Sequence, residues 1–115
     1  MQTTNSFKKF FLAFFCIIFI SIPASGITLK ETPVKLDAPW GMTWVDDNNI
    51  LITQKSGEIF LVNTEDYTQT QIKHKIPSVQ YGQGGLLDII NDKNFIWVTC
   101  SVEKNGKYTT AIYKA

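Results

Sequence analysis

Arginine is absent from this chain of 115 residues, so all 11 of its cations are lysines. A planar, bidentate clamp for carboxylate or phosphate is therefore excluded within the chain. The charge balance is nearly even, 11 Lys against 10 acids. With no basic excess and no Arg, nucleic acid is excluded as a partner class. Histidine occurs once, as His74, and cysteine twice, as Cys16 and Cys100. So few ligands and nucleophiles leave no His/Cys metal pattern, no Cys-x-x-Cys motif and no phosphate loop. No apolar run approaches the roughly 20 residues of a membrane-spanning helix.

What is present is unevenly spread. Six of the eight Phe lie between Phe7 and Phe19. A polar start ends in Lys8-Lys9, and Phe10 to Ile22 is an apolar run of thirteen, broken only by Ser21. Pro23-Ala24-Ser25-Gly26 follows. This is the layout of a secretory signal peptide, with Ala24 and Gly26 as the small residues before cleavage. Residues 1–26 are read as a signal peptide and the protein as exported, to the periplasm or beyond. Contact with a membrane is then only transient. Phe14 and Phe15 before Cys16 are too bulky for a lipidation box. Removing 26 of 115 residues leaves 89, with 9 Lys, 10 acids and Cys100 as the only cysteine. No internal disulfide can form, and a core of this size is marginal unaided.

The remaining residues read as strands. Gly41–Val45 is short and apolar, and Ile50–Thr53 is β-branched, as a buried strand requires. Glu58–Val62 follows, and Tyr67–Ile76 is polar enough for an outer edge. Asp46–Asn49, Lys55–Gly57 and Asn63–Asp66 carry turn residues between them. No segment holds apolar residues at helical spacing. The pattern then restarts with Gly85–Ile90, Phe95–Thr99 and Thr109–Lys114, with turns at Asn91–Asn94 and Lys104–Lys107. Gly41 to Gly85 is 44 residues and Ile50 to Ile96 is 46. The fold class expected is all-β. A repeat of this length, running from an apolar inner strand to a polar outer one, is the signature of a β-propeller blade. Two meanders forming a small sandwich or barrel would give the same spacing. Blade one is placed at about 36–80 and an incomplete blade two at about 81–115. Propellers close with four or more blades, so residues 27–115 are expected to be the N-terminal part of one.

Three strings carry a resemblance. They are Ala38-Pro39-Trp40-Gly41-Met42-Thr43-Trp44 with Ile50–Thr53, then Ser56-Gly57-Glu58-Ile59, then Gly82-Gln83-Gly84-Gly85-Leu86-Leu87-Asp88. In this order and spacing the chain resembles the start of the soluble PQQ-dependent glucose/sorbosone (aldose sugar) dehydrogenases, from about Leu36 to Tyr113. The resemblance implies a six-bladed propeller that oxidises a sugar at its C1 hydroxyl, with pyrroloquinoline quinone (PQQ) taking the hydride and Ca²⁺ polarising the quinone. It places Gln83, flanked by Gly82 and Gly84, beside substrate and cofactor at the channel mouth. An amide there offers one acceptor and two donors without charge.

Other residues are read as structural. Asp88 is expected to accept backbone N–H bonds, Trp40 and Trp44 to pack between blades, and Trp97 and Cys100 to lie in the core. His74 falls between Lys73 and Lys75 on the outer strand and matches no catalytic histidine of the family. No catalytic residue and no metal ligand is assigned within this chain. Two departures stand out. Gln54-Lys55 replaces the family's Glu-Arg after Thr53, losing an ion-pairing pair, and Asn91–Phe95 lacks the family's His-Pro-Asp-Phe turn. The expected function is an N-terminal fragment of an exported sugar dehydrogenase-like protein, inactive as this chain alone. A sugar is its substrate by resemblance, and open sheet edges favour self-association. The alternative is a non-catalytic, propeller-derived binding or assembly module.

Overall fold

The computed structural model describes residues 25–115; the signal-peptide reading falls almost wholly outside them. From Glu31 onward the chain forms one compact unit. Its strands are β1 (Pro39–Trp44), β2 (Asn49–Gln54), β3 (Ile59–Asn63), β4 (Gln69–Ile72), β5 (Leu86–Asp92), β6 (Phe95–Lys104) and β7 (Lys107–Lys114). Among the described residues there is no helix, hence none long and apolar enough to cross a membrane. The strands form two antiparallel meanders, β1-β2-β3-β4 and β5-β6-β7. This is the all-β architecture expected, and each meander has the form of a propeller blade.

The two sheets are copies of one plan. In the first, Pro39 pairs Gln54 and Met42 pairs Ile52, so three steps on β1 match two on β2. In the second, Leu86 pairs Cys100 and Ile89 pairs Val98, the same bulge in the same place. A bulge sharpens twist and re-aims the side chains beyond it. Aligning the bulges equates Met42 with Ile89, Gly41 with Asp88, Ile52 with Val98, and Thr53 with Thr99.

The core lies between the sheets. Leu51 and Ile59 from the first meet Leu86, Ile89, Val98, Cys100 and Val102 from the second. Alternation along β6 places Val98, Cys100 and Val102 on one face, all buried. Cys100 is buried as expected, and burial pushes its thiol pKa up. The inner strands approach closely at Gly41. A Cβ there would lie 2.7 Å from Asp88 Oδ1 and 2.8 Å from Asp88 Cα. Beside it Thr53, fully buried, ties the sheets together. Its Oγ1 accepts from Gly41 N at 3.0 Å and donates to Leu87 O. Asn91 adds two bonds, from N to Thr43 Oγ1 at 3.1 Å and from Nδ2 to Trp44 O at 2.9 Å. Asp88 behaves as expected, its Oδ1 accepting from Ile89 N at 2.9 Å.

Several expectations need correcting. The outer strand of blade one spans only Gln69–Ile72, not Tyr67–Ile76. Tyr67 adopts φ 62°, and Asp66 Oδ1 accepts from Thr68 N at 2.9 Å, which extends the turn. At the other end His74 Nδ1 accepts from Ile76 N at 3.2 Å, diverting that N–H from any ladder. β6 and β7 run longer than expected because Asn105 and Gly106, at φ 52° and 73°, make a two-residue turn. Positive φ at both positions marks type I′, which matches strand twist and lets pairing continue to Lys104–Lys107. Trp40 and Trp44 are 53% and 58% exposed, and Trp97, expected in the core, is 39% exposed. Trp97 alternates with buried Val98, Cys100 and Val102 along β6 and so takes that strand's other face. Lys114 Nζ stands 3.5 Å from the Phe95 ring centroid and 5.3 Å from that of Trp97.

Turn carboxylates give the fold an acid limit. Backbone N–H of Asn48, then the Asn49 amide, hold Asp46 below the usual carboxylate range. Thr68 does the same for Asp66. The Ser56 hydroxyl leads in lowering Glu58, helped by Gln54 and His74. A carboxyl whose folded pKa is depressed stabilises above its unfolded value and loses that contribution as pH falls through the folded one. The melting temperature should therefore hold near neutrality and fall below about pH 4. Asp46→Asn, Glu58→Gln and Asp66→Asn combined should flatten that fall; an unchanged acid limb in the triple variant would refute it.

Candidate functional site

The connection from blade one to β5 forms a tight turn, Tyr81-Gly82-Gln83-Gly84. Gly84 N donates to Tyr81 O at 2.7 Å, and Tyr81 N to Gly84 O at 3.3 Å. Gly82 has φ 54°. Positive φ at the first central position alone is the sign pattern of type II′, which selects glycine there. Gly82 does not sit tight against anything, since a Cβ would meet nothing within 4 Å. Close approach belongs instead to Gly84 and Gly85. A Cβ on Gly84 would overlap the Ser101 hydroxyl, and one on Gly85 would overlap the Lys55 carbonyl.

The turn is clamped from both sheets. Lys55 Nζ donates to Gly82 O at 2.7 Å, and Lys55 O accepts from Leu86 N at 3.1 Å. Ser101 accepts from Gly85 N at 3.3 Å through Oγ and donates its own N–H to Gly85 O at 2.8 Å. The Tyr81 ring stacks on Tyr108, centroids 4.0 Å apart and 8° from parallel. Gln83 stands at the apex, exposed. Its amide takes no part in the bonds that hold the turn, so it is not spent on satisfying the loop. Gln83, Gly82 and Gly84 are thus brought together as one rigid projection.

Lys55 and Ser101 are the residues that sequence reasoning missed here. The Gln54-Lys55 pair, read as a lost ion pair, is put to other use. Gln54 Oε1 accepts from Asp37 N at 2.7 Å, and Gln54 Nε2 donates to Glu58 Oε2 at 3.2 Å. Lys55 holds the turn. Its position two residues after Thr53 was the available signal; Ser101 offered none.

His74 lies elsewhere. It lines an apolar cavity of about 420 Å³ with Leu51, Ile59, Ile89, Val98 and Tyr113. Its Nε2 is 2.8 Å from Gly57 O. Because Nδ1 accepts from Ile76 N, Nε2 carries the proton and donates to that carbonyl. Both ring nitrogens are occupied by backbone. Among the described residues no group of three or more His, Cys, Asp or Glu could hold a metal ion.

Comparison with known proteins agrees with this geometry. Residues 36–115 match the sequence pattern of the family described as Glucose / Sorbosone dehydrogenase. The soluble aldose sugar dehydrogenase of Escherichia coli, in its apo form, is similar at 30% identity with TM-score 0.61, over 69% of this chain and 25% of that one. The PQQ-bound aldose sugar dehydrogenase of Streptomyces coelicolor shares the fold at 17% identity, TM-score 0.61, over 70% and 25%. An oxidoreductase (glucose dehydrogenase) of Thermus thermophilus shares it at 18% identity, TM-score 0.64, over 77% and 27%. The chain spans about a quarter of the length of these structures. Among curated protein sequences none matches significantly. With the family pattern covering the whole of both sheets, the chain belongs to the glucose/sorbosone dehydrogenase family.

Proposed function

We propose that this chain supplies the first two blades of an exported, PQQ-dependent sugar dehydrogenase-like propeller, with residues 1–26 as its signal peptide. Blade one spans about 36–80 and blade two begins at about 81. The observation that carries the reading is the Gln83 turn: its backbone is fixed by both sheets and its exposed amide is left unspent. Its two donors and one acceptor suit a sugar hydroxyl or a quinone oxygen. Fixing the backbone that carries that group lowers part of the orientational cost of binding.

The residues present do not fit PQQ or Ca²⁺ by themselves. The chain has no Arg, the ammonium of Lys55 is engaged by Gly82 O, and the described residues include no metal-holding cluster. No proton or hydride step is therefore assigned to these residues. The base must lie within hydrogen-bond reach of the substrate proton, and His74 is committed to backbone. The chain alone is expected to show no PQQ- and Ca²⁺-dependent aldose oxidation with a dye acceptor. Grafted in place of the matching segment of the Escherichia coli relative, residues 36–115 should support that activity. Gln83→Ala in the graft should lower kcat/KM by about 10–100-fold, a factor of ten being about 1.4 kcal/mol. Activity from the chain alone, or a Gln83→Ala graft as active as its parent, would overturn the reading.

A further inference from the structure

The turn that carries Gln83 is tied at its ends and loose at its centre. Its own two bonds join Tyr81 and Gly84, so the peptide between Gly82 and Gln83 takes no part in them. Packing does not fix that peptide either, since a Cβ on Gly82 would meet nothing within 4 Å. Glycine adopts φ of either sign about equally well. With φ negative at Gly82 the same frame would be a type I turn, with the central peptide and the Gln83 side chain turned elsewhere. The chain nevertheless holds Gly82 at φ 54°.

The group bonded to that peptide is the Lys55 ammonium, whose Nζ donates to Gly82 O at 2.7 Å. Such a charge-assisted bond is stronger than one between neutral groups. Fixing a lysine side chain is entropically costly, but Lys55 is already anchored at its backbone. Its N–H donates to Ala38 O at 3.1 Å and its carbonyl accepts from Leu86 N at 3.1 Å. Its stem then runs past Gly85, where a Cβ would come 2.8 Å from Lys55 Cγ. Glycine at position 85 clears the path that the stem takes to Gly82.

We propose that Lys55 is a positioning residue for Gln83: its ammonium selects the positive-φ form of Gly82, and with it the direction in which Gln83 leaves the turn. The catalytic consequence rests on the reading of Gln83 as an amide that contacts substrate or cofactor; the selection itself does not.

Two measurements test it. In the purified chain, the Gln83 amide proton should show a strong nuclear Overhauser effect (NOE) to a Gly82 α proton and a weak one to the Gly82 amide proton, as type II′ places them. Lys55→Met keeps the stem and removes the donor. An NOE between the two amide protons should then appear, while the strand pairings stay as they are, because the lost bond is an exposed one. Lys55→Arg, which keeps a cationic donor, should retain the original pattern. In the graft into the Escherichia coli relative, Lys55→Met should lower kcat/KM by about 10-fold, but by about 2-fold or less when added to Gln83→Ala, since residues that act through one another do not add. A clamp with a merely structural role would cost the same in both backgrounds. An unchanged NOE pattern in Lys55→Met, or a loss that persists in full beside Gln83→Ala, overturns the proposal. If Gln83→Ala is neutral in the graft, the catalytic reading falls, and the NOE pattern alone decides whether Lys55 sets the turn.

Discussion

Gly41→Ala should lower the stability of the chain by about 1–3 kcal/mol, the usual cost of overpacking a closed interior. The added Cβ would fall 2.8 Å from Asp88 Cα and 3.1 Å from Ile89 N. The Asp88 carboxylate can rotate away, but those two atoms are backbone and move only if β5 moves. β1 must then back away from β5, opening the seam that Thr53 and Asn91 close. In urea the midpoint should fall with the slope unchanged, since the surface exposed on unfolding is the same. A small body without a disulfide has little margin, so the upper end of that range would leave a sizeable unfolded fraction. An unchanged midpoint would show that the sheets are not seated at Gly41.

Thr53→Val tests the same seam without changing its volume, and its expected effect is about 2–4 kcal/mol. Valine keeps the shape and removes the hydroxyl. Gly41 N–H loses its acceptor in a buried place, and Leu87 C=O loses its donor in a part-buried one. Each orphaned buried group costs about 1–3 kcal/mol. Thr53→Ser should recover most of the loss, because it restores the oxygen at the price of one methyl. If Thr53→Val melts where wild type does, the hydroxyl is not what joins the blades.

Much of the fold was legible because strands announce themselves locally. Alternation in Phe95–Thr99, the β-branched run Ile50–Thr53 and the turn residues Asp46–Asn49 and Asn105-Gly106 act through neighbours in sequence. The repeat of 44 to 46 residues was visible for the same reason, and it identified the blade. The outer strand of blade one was misjudged because it stops at Ile72, opposite Ile59 where its partner β3 begins, a limit set by pairing and not by propensity. Trp97 was misplaced because either face of β6 could be the buried one, and only the packing of the sheets selects Val98, Cys100 and Val102. Of the candidate site, Gln83 and its glycines were found as a string. The Lys55 clamp, 27 residues away, and Ser101 were not, because they reach the turn only through the packing of one blade on the next.

By itself, then, the amino-acid sequence determined the all-β class, the blade repeat, the exclusion of an Arg-based clamp and the family to which the strings belong. The first three rest on composition and on strand and turn patterns, where local sterics and hydrogen bonding dominate; the family rests on the resemblance of the strings. Only the tertiary structure decided which face of each sheet is buried, that Gly41 and Thr53 form the seam, that the one histidine is held by backbone, and that the Gln83 amide stands free. Those outcomes depend on contacts between residues tens of positions apart. Their energies are settled by how closely two sheets can approach, and that follows from where each bulge places its side chains.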